Sequence, residues 1–180
     1  GDIWVGNNGQ DLWEQVYLLK RGANYGWSVY EGSHPFYPNR QLGPTPLSKP
    51  AAEHHHHEAR SLTGGVVYYG DKLPKLRGMY IYGDYSTGKI WAIRHVDGRV
   101  TPPLEIADTP LKISGFAIDA DGELLVIDHS SPDGGFYHLT PRPDEVVKHD
   151  FPRKLSESGL FADVSKHQVQ PALISYSVNS

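Results

Sequence analysis

Four consecutive histidines, His54 to His57, stand between Glu53 and Glu58. Imidazole is a common metal ligand, and side chains two apart on an extended segment share a face. The run therefore offers His55 and His57 as one pair, with Glu53 and Glu58 available to complete a metal site. Its first reading is still a solvated loop; folded over a channel mouth, the same loop would bring a histidine to a substrate. Asp119, Asp121 and Glu123 also alternate. They suit either a cation or a hairpin turn, and they lack the full calcium-loop spacing, so the turn is expected. Asp84 and Asp128 each follow a short apolar run, and their expected task is to accept hydrogen bonds from loop amides. Trp27, Tyr30, Phe36 and Tyr37 offer flat faces on which a sugar ring stacks. Phe36 and Tyr37, between Pro35 and Pro38, are the rim candidates, whereas Trp27 reads as packing. Lys89 and Arg94 flank a strand and read as surface charges.

Several chemistries are excluded outright. The 180 residues contain no cysteine, so disulfides, thiolate metal sites and cysteine nucleophiles are absent. The net charge of −4 argues against a nucleic-acid footprint. No apolar run approaches the ~20 residues of a membrane-spanning helix. No nucleophile elbow, phosphate loop or zinc-protease helix occurs. Glycine and proline number 19 and 14, too few for a disordered composition. The start at Gly1-Asp-Ile-Trp-Val5 reads as the inside of a strand, and the chain is expected to be a piece of a longer protein.

The elements that must carry these side chains are strands. Short runs rich in Val, Ile, Tyr and Trp cover 66–69, 79–82, 90–93, 116–118, 124–127 and 136–139, each bounded by turn residues. No helical periodicity appears before residue 150. Spacing says more. Gly1, Gly78 and Gly122 each open a mainly apolar run, followed by a polar loop containing glycine and then a second strand. Gly78 and Gly122 lie 44 residues apart, the step of a four-stranded propeller blade. Gly1 and Gly78 lie 77 apart, one step plus an insertion, assigned to the proline-rich loop 32–61. Asp97-Gly98 and Asp121-Gly122 read as type I′ hairpin turns. The expected fold is all-β: about three blades of a six-bladed β-propeller over residues 1–142, then an irregular tail over 143–180.

The order of Asp2-Ile-Trp-Val-Gly-Asn-Asn-Gly-Gln10, Gly22-Ala-Asn-Tyr-Gly-Trp27, Tyr30-Glu-Gly32, Ser61-Leu-Thr-Gly-Gly65, Gly78-Met-Tyr-Ile-Tyr-Gly-Asp-Tyr85, Lys89-Ile-Trp-Ala-Ile-Arg94 and Asp119-Ala-Asp-Gly-Glu123 resembles the glucose/sorbosone dehydrogenase family, the soluble quinoprotein sugar dehydrogenases and their relatives. The tail, with Phe151-Pro-Arg-Lys-Leu155 and Ile174-Ser-Tyr-Ser-Val-Asn179, resembles the segment after such propellers in large planctomycete-type proteins, which often continue into a c-type cytochrome region.

The resemblance implies a six-bladed propeller, which at roughly 45 residues per blade needs ~270 residues; this chain would be its C-terminal half. It implies pyrroloquinoline quinone and calcium at the channel mouth, a small sugar as substrate, a c-type cytochrome as electron acceptor and a periplasmic or extracellular address. Main-chain oxygens of a Gly-Pro pair hold the calcium in the family; Gly9-Gln10 stands there, with glutamine for proline. Two arginines clamp the quinone carboxylates in the family; Lys112 and Ser114 occupy those places. Lysine keeps a point charge without the bidentate fork, and serine supplies none. The substrate rim would be Phe36, Tyr37, His55 and His57. The family's catalytic histidine belongs to an early blade upstream of Gly1, so no catalytic residue is assigned. The alternative is a propeller without its cofactor clamp, binding a glycan or a protein on the same face.

Overall fold

The structure is a computed structural model that describes residues 1–141 and 154–171. The chain divides into two compact units, Gly1–Pro141 and Arg142–Ser180. The first unit holds fourteen strands and one short 3-10 turn, Pro74–Leu76. In chain order they are β1 (Trp4–Asn7), β2 (Trp13–Leu18), β3 (Tyr30–Glu31), β4 (His34–Pro35), β5 (Ala52–His55), β6 (Leu62–Val67), β7 (Tyr80–Asp84), β8 (Lys89–Ile93), β9 (His95–Val96), β10 (Arg99–Val100), β11 (Leu104–Asp108), β12 (Ile113–Ile118), β13 (Leu124–Asp128) and β14 (Phe136–His138).

Three antiparallel sheets carry the architecture, ordered β1-β2-β5, β6-β7-β8-β11 and β12-β13-β14. The five residues of β7 are all buried, because this strand lies mid-sheet with a neighbouring sheet on each face. Tyr80 and Tyr82 turn toward the first sheet and join Val16, Ala52, Leu62 and Trp91. Ile81 turns the other way and packs with Ile90, Ile113, Leu124 and Val126 of the second and third sheets. Trp4 stacks on Tyr80 at 4.9 Å. Strands β6 and β12 run beside each other, and Thr63 Oγ1 donates to the Ile113 carbonyl at 2.7 Å. Sheets that pack face to face and converge on their first strands are blades, and the fold is an all-β partial propeller.

Gly1, Gly78 and Gly122 precede β1, β7 and β13, and the strands that follow are β2, β8 and β14; β7 and β13 are second in their sheets, whereas β1 is the first described strand of its own. The 44-residue step is therefore a second-strand to second-strand distance. Three expectations change. The stretch 32–61 is not simply an inserted loop: β5 lies within it and pairs with β2, Glu14 opposite His54. Strand β11 was unmarked by periodicity, since a bulge between Glu105 and Ala107 breaks its alternation. Asp97-Gly98 keeps two positive φ angles, 51° and 75°, as a type I′ turn requires. At Asp121-Gly122 only Gly122 is positive, at 83°. That hairpin instead closes with the Gly122 N–H on the Asp119 carbonyl and a glycine in the left-handed region.

Within the second unit, Leu155–Glu157 is a 3-10 turn, and β15 (Phe161–Asp163) pairs with β16 (Gln168–Val169). This short hairpin is the one paired element among the described residues of a tail whose polar composition suggested irregular chain. The linker residues after Pro141, and the tail motifs at 151–153 and 174–179, lie outside the described residues. No helix among the described residues is long and apolar enough to cross a membrane.

Candidate functional site

Five connections emerge at one end of the three blades: 8–12, 56–61, 85–88, 109–112 and 129–135. They are linked to one another. The Asn8 side chain donates to Ser61 Oγ at 3.1 Å, and the Tyr85 N–H donates to the Ser61 carbonyl at 2.9 Å. Lys112 Nζ donates to the Ser86 carbonyl at 3.2 Å, and the His129 N–H to the Lys112 carbonyl at 2.9 Å.

Buried carboxylates shape these loops. Asp84, fully buried, accepts the N–H groups of Arg60 and Ser61 on Oδ2, at 2.8 and 2.6 Å, and those of Ser86 and Thr87 on Oδ1, at 2.9 and 2.8 Å. Asp128 repeats the device one blade on, accepting from Lys112 N at 2.7 Å and Ser130 N at 3.1 Å. Burial alone would raise its pKa; the Ser130 hydroxyl and the Lys112 and Ser130 amides outweigh that and hold it below the usual range. The loop-capping expectation for both residues is met. Asp119 likewise accepts the amides of Asp121 and Glu123, at 2.9 and 2.8 Å. Glu123 turns inward to the Tyr68 hydroxyl at 2.5 Å. The alternating acids form a turn, not a cation site.

The first blade is different. Its residue in the place of Asp84 and Asp128 is Asn7, whose amide donates to Gln15 Oε1 at 2.5 Å. The loop 8–12 is gripped instead from behind by Glu14 and Glu31, both buried. Glu14 Oε1 accepts the Gly9 N–H at 3.2 Å, and its Oε2 accepts the Leu62 N–H at 2.7 Å. Glu31 accepts the Asp11 N–H at 2.6 Å and the Leu12 N–H at 3.0 Å. Cis peptides occur only at Trp27-Ser28 and Ser131-Pro132 among the described residues. In a trans peptide the carbonyl of one residue points opposite to the N–H of the next. The carbonyls of Asn8, Gln10 and Asp11 are therefore aimed away from the two carboxylates. Glycine is required at position 9, because a Cβ there would sit 1.7 Å from the Trp13 carbonyl oxygen.

In front of this loop lies a cleft of about 300 Å³, lined by Asn7, Asn8, Gly9, Gln10, Gln15 and Trp27. It is neutral and rich in amides, with oxygens suited to a hard cation and donor–acceptor pairs suited to hydroxyl groups. Trp27 is not the packing residue its sequence context suggested. It is 61% exposed and stacks on Phe36 at 5.2 Å; Phe36 in turn meets Tyr37 edge-on at 4.3 Å. Lys112 and Ser114 are exposed at the start of β12 on the same end of the unit. Ser114 Oγ donates to the Ile127 carbonyl at 3.3 Å.

The histidine run splits between strand and turn, with His54 and His55 ending β5 and His56 and His57 in the turn after it. His54 is buried, with Nε2 2.8 Å from the Tyr82 hydroxyl and Nδ1 3.2 Å from Glu58. Burial lowers its pKa, against the pull of Glu58. His56 Nε2 lies 2.8 Å from Glu14 Oε1. His55 and His57 face the other side, their Nδ1 atoms 2.6 Å apart, with His55 edge-on to Trp13 at 5.0 Å. The solvated-loop reading is corrected: two of the four rings brace the blade. Among the described residues no group of three His, Cys, Asp or Glu side chains is arranged to hold a metal. Sequence reasoning missed Glu14 and Glu31 as holders of the loop. The available signal was a charge inside an otherwise apolar strand, Trp13-Glu-Gln-Val-Tyr17.

Comparison with known proteins agrees with this architecture. Over 96 residues the chain is 35% identical to the HIPL1 protein of Arabidopsis thaliana, covering 47% of this chain and 14% of that one. HIPL2 of the same plant is 32% identical over 95 residues. The chain thus spans only a small part of these relatives. Among solved structures it is similar to the soluble aldose sugar dehydrogenase of Escherichia coli in its apo form: TM-score 0.55, 18% identity, 78% of this chain and 42% of that one. It is also similar to the PQQ-bound aldose sugar dehydrogenase of Streptomyces coelicolor: TM-score 0.56, 18% identity, 75% of this chain and 38% of that one. The family model for glucose/sorbosone dehydrogenase matches residues 1–138, and the chain belongs to that family.

Proposed function

We propose that this chain is the cofactor-side portion of a sugar dehydrogenase that uses pyrroloquinoline quinone and calcium. The observation that carries the reading is the loop 8–12, pinned by Glu14 and Glu31 and lining a neutral cleft through Asn8, Gly9 and Gln10. That donor set fits calcium: hard neutral oxygens, with Gly9 and Gln10 at the family's ligand positions and the buried carboxyl groups of Glu14 and Glu31 behind them. A quinone carboxylate finds one cation, Lys112, with Ser114 limited to a hydrogen bond. When bound, the quinone–calcium pair would accept the hydride from the sugar. The residues here hold and orient. Gly9 and Gln10 offer oxygen, Lys112 offers charge, and Phe36, Tyr37, His55 and His57 edge the approach, with Trp27 added by its exposure. A c-type cytochrome as electron acceptor, and a periplasmic or extracellular address, follow from the same family reading.

One observation favours a second reading, a propeller that binds a glycan or a protein without oxidising it. Neither Lys112 nor Ser114 supplies a guanidinium, and both already have protein partners, the Ser86 and Ile127 carbonyls. The test is reconstitution of the full-length protein with calcium and the quinone, followed by aldose-dependent reduction of an artificial acceptor. Turnover supports the dehydrogenase. Silence across a broad sugar panel, persisting in Ser114→Arg, leaves the binding module.

A further inference from the structure

We propose that His55 and His57 form a two-imidazole site for a divalent transition-metal ion, with Cu²⁺ the preferred occupant. The inference goes beyond the sugar dehydrogenase reading and does not depend on it. Hydrogen bonds commit His54 to Tyr82 and Glu58, and His56 to Glu14. The same pairings remove Glu58 as a ligand, while Glu53 accepts the Ser33 N–H at 2.5 Å. Only the second and fourth rings of the run converge elsewhere, Nδ1 to Nδ1 at 2.6 Å. The His57 N–H also points at His55 Nδ1, 3.2 Å away. In this geometry that nitrogen accepts, so the 2.6 Å contact needs a hydrogen on His57 Nδ1, which a metal bound between the two rings would displace.

Two imidazoles bound to one ion through N–metal bonds of ~2.0–2.1 Å place their nitrogens about 3 Å apart. The pair need open only slightly, and neither ring is held by a carboxylate among the described contacts. Imidazole nitrogen favours Cu²⁺ over Ni²⁺ and Zn²⁺, and it does not favour calcium. The site is thus chemically separate from the oxygen-lined loop. With no third protein ligand grouped there, water completes the coordination. Trp13, edge-on to His55 at 5.0 Å, is near enough for bound Cu²⁺ to quench its fluorescence.

The test is titration of the full chain with Cu²⁺ at neutral pH, read by tryptophan fluorescence and by electron paramagnetic resonance. Expected are one tight equivalent, a spectrum with two nitrogen ligands, and quenching that shrinks in Trp13→Phe while affinity stays. His55→Ala and His57→Ala should each weaken binding by at least the ~10-fold that loss of even a supporting partner of a metal ligand costs. Calcium in excess should not compete. Should a variant misfold, the wild-type spectrum decides alone. A wild-type spectrum with fewer than two nitrogens overturns the proposal, as does wild-type affinity in a folded His55→Ala/His57→Ala double variant.

Discussion

The first and second blades solve one problem in opposite ways. At the end of its second strand the second blade places Asp84, whose two oxygens collect amides from both adjoining loops. Those loops are closed on themselves. At the same place the first blade has Asn7, and its loop 8–12 is gripped from behind by Glu14 and Glu31. The amides of Gly9, Asp11 and Leu12 point inward, so the carbonyls of Asn8, Gln10 and Asp11 point away from the carboxylates, in a loop that lines a cleft. The same chemistry, a buried carboxylate on backbone N–H groups, makes an inert corner in one blade and an oxygen-lined surface in the other. The departure from the repeat falls at the loop proposed to hold the cofactor.

Breaking the closed corner should have the largest effect. Asp84→Ala leaves several buried amides without acceptors and should cost about 3 kcal/mol or more. Urea unfolding should show the chain largely unfolded or strongly destabilised. Breaking the open corner should cost less and act locally. Glu31→Gln keeps one acceptor and should lose about 1–2 kcal/mol, with faster amide hydrogen exchange confined to Asp11 and Leu12.

The pH dependence separates the two blades further. His54 bridges them through Tyr82, and burial holds its pKa below the ordinary 6.5. The neutral ring is the one the fold accepts. Its contribution is complete above the ordinary histidine value and is lost as pH falls through the lowered one. Thermal melts should therefore fall below pH 6.5 before the carboxylates titrate, and His54→Gln should flatten that step. Asp119, Glu123 and Asp128 are held below the usual carboxylate range by their donors, so their loss comes later, in stronger acid. The smallest effect belongs to Asn7→Asp, which restores the repeat's residue but loses the amide that donates to Gln15 Oε1. Its stability should fall by about 1 kcal/mol, measured by urea midpoint.

Much of this was legible in the residues. The Gly-led runs and their 44-residue step mark second strands, because a propeller repeats its core spacing. Asp84 and Asp128 fall at matching offsets, so their shared task could be read directly. Strand β5 could not: polar His54 reads as loop until Tyr82 and Glu58, distant or off-strand, are seen to satisfy it. Glu31 looks like an ordinary surface acid, and Glu14, though set among apolar neighbours, does not reveal its partners, because the amides both residues hold lie on other segments. Trp27 departs from its expected packing role because it lies in a turn before β3, where its ring stays open to solvent beside Phe36.

The most direct test of the central claim is amide hydrogen exchange across residues 8–12 in the full-length protein, with and without calcium and pyrroloquinoline quinone. Gly9, Asp11 and Leu12 should be protected before any addition, since their N–H groups are held by buried carboxylates. Addition should slow exchange further in this loop, and Glu31→Gln should abolish the gain. Fast exchange at all three amides, or a cofactor response that leaves residues 8–12 untouched, would contradict the account.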